Sequence, residues 1–239
     1  MSTPPPQVAA PPTSRRAFFK RAGLGLGAAA AAVALPACDS SDPDDGADVV
    51  LDFSDDFGVL NYAYALEQLE AAFYAAVVGS SAFASTFSAD ERSILDDLAA
   101  HEAIHRDFLR AAIVGAGGES AVIGALTPDF DAVDLSSRTS VLQTALALED
   151  TGVGAYNGAG RYLASDTYLL LAGKIVSVEA RHASVIAGLL TPNAIAGDGT
   201  ITSDTALDVI LRPSDVVGPN GAATPFITDT IRVTNVPSS

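Results

Sequence analysis

The chain has few residues that could crosslink it or bind soft metal ions. Its 239 residues include a single cysteine, Cys38, so no intramolecular disulfide can form and no cysteine cluster can hold zinc or an iron–sulfur centre. Tryptophan is absent, whereas 49% of the residues are apolar, with Ala, Leu and Val abundant. This composition favours closely packed helices over a β-sandwich.

Basic residues are also scarce. The chain has 13 Lys and Arg against 29 Asp and Glu, and four of the 13 lie within the first 37 residues, where no acidic residue occurs. Nucleic acid is not an expected partner, because phosphate binding needs clustered Lys and Arg. The acidic remainder is explained either by solubility or by attraction of divalent cations, and composition alone leaves both explanations open.

The first 37 residues are predicted to be an export signal. The segment Ser14–Lys20 contains the pair Arg15 and Arg16 followed by two phenylalanines, and it resembles a twin-arginine signal. This resemblance implies the twin-arginine translocase as a partner during export. Residues 22–35 are free of charge, and at about 1.5 Å per residue they span about 21 Å, short of a ~30 Å hydrocarbon core. They therefore indicate a signal peptide and not a membrane anchor.

The end of this signal, Leu35-Pro36-Ala37-Cys38, looks like a lipobox. That reading predicts acylation of Cys38 and a lipid anchor in the membrane, whereas ordinary cleavage near Ala37 would leave a free thiol and a soluble exported protein. Either way we expect the protein in the cell envelope, periplasmic or membrane-tethered. Residues 38–55 are rich in Asp, Ser and Gly and are predicted to be a flexible acidic tether.

Capping residues, apolar periodicity and Gly or Pro stops predict four helices within residues 56–190. We expect them at about 56–78 with Ser54 or Asp55 as cap, at about 89–114 behind a Ser88/Glu91 capping box, from just after Ser136 or Ser137 to near Leu163, and at about 167–190. About 20 residues separate the second helix from the third, and the other gaps are short. The fold class is therefore all-α, a four-helix bundle with one long crossover between helices two and three.

Residues 191–239 are rich in Gly, Pro, Thr and Asp and are predicted to form an irregular extension along the bundle. Within it we expect a short helix at 203–211 and a weak strand near Ile227–Val233. No chemistry is assigned to this extension.

Each predicted helix carries an apolar seam that is interrupted near its middle by a carboxylate. These interruptions are Glu67, Glu102, Glu149 and Glu179, accompanied by His105 and His182 on the second and fourth helices. A buried carboxylate is costly unless it is paired or binds a metal. Each Glu-x-x-His pair projects from one helix face, so the simplest common cause is a dinuclear metal site. Four carboxylates balance two divalent ions, and oxygen ligands with one nitrogen per ion suit iron or manganese.

An internal repeat supports this ligand set. The pattern A-x-A-L-E-x6-Y occurs from Ala63 and again from Ala145, and E-A-x-H occurs from Glu102 and from Glu179. The repeat selects Glu67 over Glu70, which aligns with Gly152; Glu70 is left as an extra ligand or a flanking residue.

Three further residues are candidates for contact with the ligands. Tyr74 and Tyr156 lie two turns beyond Glu67 and Glu149, where they either hydrogen-bond the opposite ligands or serve as core aromatics. His101 is expected beside the site and not as a ligand.

The order Glu, E-x-x-H, Glu, E-x-x-H resembles the ferritin-like di-metal carboxylate proteins over residues 55–191. The phrases L-E-Q-L-E-A-A-F-Y and A-L-E-D-T-G look like the exported, desiccation-related branch of that superfamily. The resemblance implies two iron (or manganese) ions at the six residues named above, with oxygen or peroxide as reaction partners. It does not fix the reaction, since relatives oxidise ferrous iron, reduce or dismutate peroxide, or activate oxygen.

Two other functions remain open from the sequence. One is a non-catalytic structural or desiccation-protective envelope protein that keeps the bundle. The other is a zinc hydrolase, because His101–His105 matches H-E-x-x-H with Glu102 as the base, although four of the six ligand candidates would then lack a purpose. The tether and the C-terminal extension favour a monomer or homodimer over a closed shell.

Overall fold

The computed structural model describes residues 48–238. The predicted export signal with Arg15 and Arg16, and the predicted lipidation site Cys38, lie outside the described residues. The described residues all belong to one compact unit. No helix within 48–238 combines the length and the apolarity needed to cross a membrane.

Four long helices form the bundle. They are α1 (Asp56–Gly79), α2 (Ala89–Gly117), α3 (Arg138–Ala159) and α4 (Asp166–Leu190). Helix α1 packs along α2 and α3 packs along α4, and α1 also contacts α3. The connection from α2 to α3 spans residues 118–137, while the connections within each pair are short. The predicted all-α bundle with one long crossover is confirmed.

The helix ends follow from local capping chemistry. Asp55, and not Ser54, caps α1, because its Oδ1 accepts from the backbone N–H of Phe57 at 2.8 Å. The Ser88/Glu91 capping box is present at the start of α2. Helix α2 runs three residues beyond its predicted end, since Gly118, with φ 78°, is the first residue to leave the helical conformation. Helix α3 ends before its predicted limit and passes into a 3₁₀ turn at Gly160–Tyr162.

Two side-chain amides on α1 hold the long crossover against the bundle. Asn61 donates to the carbonyl of Ala121 at 2.8 Å and accepts from the N–H of Ile123 at 2.9 Å. About two turns further on, Gln68 accepts from the N–H of Leu126 at 3.0 Å. The crossover is therefore positioned by α1, the helix that also supplies Glu67.

A short parallel sheet joins the two ends of the described chain. Strand β1 (Val49–Asp52) pairs with β2 (Ile231–Thr234), with Val49 opposite Ile231. The prediction of a flexible tether over 38–55 is wrong for β1, because Leu51 and Phe53 are buried in the core. The entry into α1 is also tight, since a Cβ on Gly58 would lie 1.7 Å from the Asp52 carbonyl oxygen.

The C-terminal extension packs along the bundle as predicted. The N–H of Leu211 donates to the carbonyl of Gly154 at 2.9 Å, and a Cβ on Gly158 would lie 1.8 Å from the Leu211 carbonyl oxygen. The predicted strand corresponds to β2. The predicted helix at 203–211 is wrong: an antiparallel bridge pairs Ile201 with Asp208, and Thr-, Ser- and Asp-rich segments favour such turns. The short helix lies instead at Pro213–Val217.

Candidate metal centre

Carboxylates from all four long helices meet in the middle of the bundle. The side chains of Glu67 (α1), Glu102 (α2), Glu149 (α3) and Glu179 (α4) are fully buried. The two histidines lie beside them: the side chain of His182 is 5% exposed and that of His105 is 13% exposed. The structure thus brings together all six residues that the helix seams single out.

The ligand atoms of these residues form two overlapping groups, within each of which all atoms lie within 4.8 Å of one another. The first group is Glu67, Glu102, His105 and Glu179. The second group is Glu102, Glu149, Glu179 and His182. Glu102 and Glu179 belong to both groups, whereas the sequence assigned each Glu-x-x-His pair to one ion.

Both histidines face the carboxylates through the same ring nitrogen. His105 Nδ1 lies 2.8 Å from Glu179 Oε1, and His182 Nδ1 lies 2.7 Å from Glu102 Oε1. Each imidazole is therefore closest to the glutamate of the other Glu-x-x-His helix. The same nitrogens lie 3.5 Å from Glu67 Oε2 and from Glu149 Oε2, respectively, so the arrangement around His105 is repeated around His182.

The donor atoms fit a pair of metal ions. Eight buried atoms have no hydrogen-bond partner among the described residues, namely Glu67 Oε2, both carboxylate oxygens of Glu102 and of Glu179, Glu149 Oε2, and the Nδ1 atoms of His105 and His182. Their close approaches do not have hydrogen-bond directions. Since a buried unsatisfied polar atom costs about 1–3 kcal/mol, so many of them in one place call for a common partner. Oxygen donors with one imidazole per group suit iron or manganese.

In the metal-free protein, protons balance the charge of the cluster. Burial lowers the pKa of His105 and of His182, but the surrounding glutamates raise both to about 12. Burial raises the pKa of Glu102, but the two nearby imidazoles lower it by more than burial raises it. The resulting pKa is about 2. Burial raises the pKa of Glu149 to about 8 against the opposing effect of His182. Two positively charged imidazolium rings thus balance carboxylate charge that metal ions would otherwise balance. A metal ion that binds to these nitrogens must displace their protons.

Two tyrosines orient the carboxylates that belong to one group only. Tyr74 on α1 donates to Glu149 Oε1, and Tyr156 on α3 donates to Glu67 Oε1, both at 2.5 Å. Burial and the adjacent glutamates raise the pKa of both hydroxyls well above the usual value, so both stay protonated donors. These crosswise bonds engage Oε1 and leave each Oε2 aimed at a histidine. Of the two roles considered for the tyrosines, the structure therefore shows contact with the opposite ligands.

Glu70 breaks the symmetry between the two halves. Its carboxylate is buried beside the cluster but belongs to neither group, and its Oε2 lacks a hydrogen-bond partner within the described part of the chain. A Cβ on Gly152, its counterpart in the repeat, would lie 2.9 Å from Glu70 Oε1. Gly152 therefore makes room for Glu70, whose role as an extra ligand stays a prediction.

His101 contacts the candidate ligand His182 on the side that faces away from the carboxylates. Its Nδ1 lies 3.0 Å from His182 Nε2, and the two rings stack with centroids 5.2 Å apart. His182 thus presents one nitrogen to the carboxylates and the other to His101, a type of support that is common around metal-ligating histidines. His101 contacts His182 and belongs to neither ligand group found among the described residues, so no group there combines His101 with His105 as the H-E-x-x-H reading would require. Sequence reasoning missed this contact, because it joins helices α2 and α4.

A bundle with one long crossover and a central cluster of glutamates and histidines defines the class of ferritin-like metal-binding proteins. The comparison with protein families agrees: the ferritin-like domain model matches residues 55–192, more than half of the chain. The chain belongs to this family. No curated protein matches it closely enough to count as a relative.

Proposed function

We propose that the protein binds two iron or manganese ions at this centre and uses them in redox chemistry with dioxygen or peroxide, or in iron handling. The observation that carries the proposal is the convergence, from four helices, of eight buried donor atoms that have no hydrogen-bond partner among the described residues. Glu102 and Glu179 would contact both ions. Glu67 with His105, and Glu149 with His182, would each complete the set around one ion.

Four carboxylates match the charge of two divalent ions when both imidazoles are neutral. Two such ions supply two electrons, which with two protons convert dioxygen to hydrogen peroxide, or hydrogen peroxide to two waters. The protein's own contribution is to hold the ligands in a buried site and to fix their orientation. Tyr74 and Tyr156 do the latter through their hydrogen bonds to Glu149 and Glu67.

We also propose that the protein works outside the cytoplasm. The sequence features that support this are the Arg15–Arg16 signal and the lipobox-like end at Cys38, and the resemblance to the desiccation-related branch agrees with it. In this proposal the twin-arginine translocase exports the chain, and acylated Cys38 holds the protein at the membrane as a monomer or homodimer.

Metal content of the purified compact unit, residues 44–239, tests the metal proposal. We expect about two iron or manganese ions per chain after loading, because the ligand groups number two. A Glu102→Ala/Glu179→Ala variant should bind none. The matched control, Asp107→Ala/Glu119→Ala, removes two carboxylates whose side chains are each 68% exposed, and it should bind as the parent does.

A folded parent that takes up neither Fe(II) nor Mn(II) would overturn the proposal. A parent that binds the ions but reacts with neither dioxygen nor peroxide would instead support the non-catalytic, protective function. Circular dichroism of the double variant shows whether loss of metal reflects loss of ligands or loss of the fold.

A further inference from the structure

An apolar chamber lies inside the bundle, close to the candidate metal centre. Its volume is about 30 Å³, and its walls come from all four long helices. Ala63, Leu109, Ala112, Tyr156 and Ile175 are among the lining residues, and nearly all of the lining surface belongs to carbon atoms. None of the six candidate ligands lines the chamber.

The chamber adjoins the first ligand group. Residues four apart on a helix lie above one another, one turn away. Ala63 precedes Glu67 by four residues, Leu109 follows His105 by four, and Ile175 precedes Glu179 by four. Three of the four members of the first group are therefore one helical turn from the chamber wall.

Tyr156 links the chamber to the same group directly. It lines the chamber and donates its hydroxyl to Glu67 Oε1. Glu149 and His182, the ligands specific to the second group, have no such neighbours in the lining: Ala145 and Val153, one turn on either side of Glu149, lie outside it. The chamber is thus placed on one side of the centre only.

The size and the lining select the occupant. A water molecule needs roughly 10–15 Å³ of such volume and two to four polar partners, and apolar cavities of proteins stay dry while they accept xenon. A chamber of about 30 Å³ has room for a molecule of a few heavy atoms. Hydrogen peroxide would lose its hydrogen bonds on entry, which is unfavourable. Dioxygen is small and apolar, so it has no such hydrogen bonds to lose when it enters the chamber.

We propose that this chamber binds dioxygen and delivers it to the ion that Glu67 and His105 would hold. The proposal rests on the proposed function and names dioxygen as the oxidant on this side of the centre. It also makes the two ions inequivalent, since the lining of this chamber contains no residue one turn from Glu149 or His182.

Xenon binding tests the chamber without any metal. Crystals of the metal-free unit, residues 44–239, are exposed to xenon under pressure, and the xenon position is read from its anomalous signal. We expect one site within the chamber. Ala112→Leu fills the chamber and should abolish the site, and Ala111→Leu, which adds the same side chain at the neighbouring exposed position of α2, should retain it.

Oxidation of bound Fe(II) tests the delivery. Ala112→Leu should slow oxidation by dioxygen by roughly tenfold, the change that about 1.4 kcal/mol of lost binding produces, and leave oxidation by hydrogen peroxide unchanged. Ala111→Leu should behave as the parent with both oxidants. If Ala112→Leu fails to fold, Ala172→Leu fills the same chamber from α4.

The outcomes separate the two proposals. Absence of xenon from the chamber overturns the dioxygen site even if the protein binds and oxidises iron. Unchanged dioxygen kinetics in a variant that has lost xenon also overturns it, as does an equal slowing with both oxidants. If the protein binds xenon but no metal, the apolar site is supported. The delivery of dioxygen to an ion is then overturned together with the proposed function.

Discussion

The six candidate ligands differ in how many ligand groups each one joins. Glu102 and Glu179 lie in both groups, whereas Glu67, Glu149 and the two histidines lie in one. The same kind of substitution should therefore remove different amounts of metal at different candidate ligands. The difference is a consequence of the structure that the internal sequence repeat does not show.

Removal of a shared ligand should cost both ions, and removal of a ligand specific to one group should cost one. We expect Glu102→Gln to retain almost no metal after dialysis and Glu149→Gln to retain about one ion per chain, since only one ligand group contains Glu149. Elemental analysis of the dialysed proteins measures this. Equal losses in the two variants would contradict shared ligation by Glu102.

The tyrosine hydrogen bonds give a second prediction at the residue scale. Tyr156→Phe removes the donor to Glu67, and loss of such outer partners typically weakens metal binding by about 10–100-fold. Titration with Mn(II) measures the affinity. Tyr62→Phe is the matched control, because the hydroxyl of Tyr62 is buried without a hydrogen-bond partner among the described residues. A similar loss of affinity in both variants would point to packing instead of orientation.

At the scale of helices and strands, the sequence predicted best what depends on neighbouring residues. The Ser88/Glu91 capping box and the long gap before α3 are local signals, and both helix pairs formed where expected. Strand β1 was missed because its partner, β2, lies about 180 residues away and polar residues surround it. The helix predicted at 203–211 failed because turn-forming side chains there outweigh a weak apolar pattern.

The candidate ligands could be singled out from the sequence for the same reason. Glu67, Glu102, Glu149 and Glu179 interrupt apolar seams at helical spacing, which is visible in the sequence. Which of them are shared depends on how the helices are rotated against one another, and this is decided by packing. The contact of His101 with His182 and the space that Gly152 leaves for Glu70 are likewise set between helices.

The contact between α3 and the C-terminal extension leads to a stability prediction. Gly158→Ala would place a Cβ 1.8 Å from the Leu211 carbonyl oxygen, so the extension must shift. We expect a loss of about 1–3 kcal/mol in the free energy of unfolding, measured with urea. Gly115→Ala meets no atom within 4 Å and should instead stabilise α2 by about 0.5–1 kcal/mol. An unaffected Gly158→Ala protein would show that the extension does not pack on α3.

At the scale of the whole molecule, the buried cluster couples stability to pH. In the folded, metal-free protein the pKa values of His105 and His182 are about 12, and that of Glu149 is about 8, all above their usual values. The folded state therefore holds more protons than the unfolded state at neutral pH. Under these conditions stability falls as pH rises.

We accordingly expect the metal-free protein to become less stable from pH 5 to pH 9. The contribution of Glu149 is lost between pH 4.5 and about 8, and that of the histidines is lost as pH rises from 6.5 toward about 12. Each extra bound proton corresponds to about 1.4 kcal/mol per pH unit. Urea unfolding at a series of pH values measures the slope. Metal-loaded protein should lack this decline, because metal binding releases the histidine protons. A metal-free protein whose stability rises over this range would contradict the charge assignment.

The central claim is that two ions share Glu102 and Glu179, and anomalous diffraction from crystals loaded with Fe(II) or Mn(II) tests it most directly. We expect two anomalous peaks inside the bundle. One should be ligated by Glu67 and His105, the other by Glu149 and His182, with Glu102 and Glu179 between them. A single peak, a peak between His101 and His105, or no peak in a crystal of folded, metal-soaked protein would contradict it.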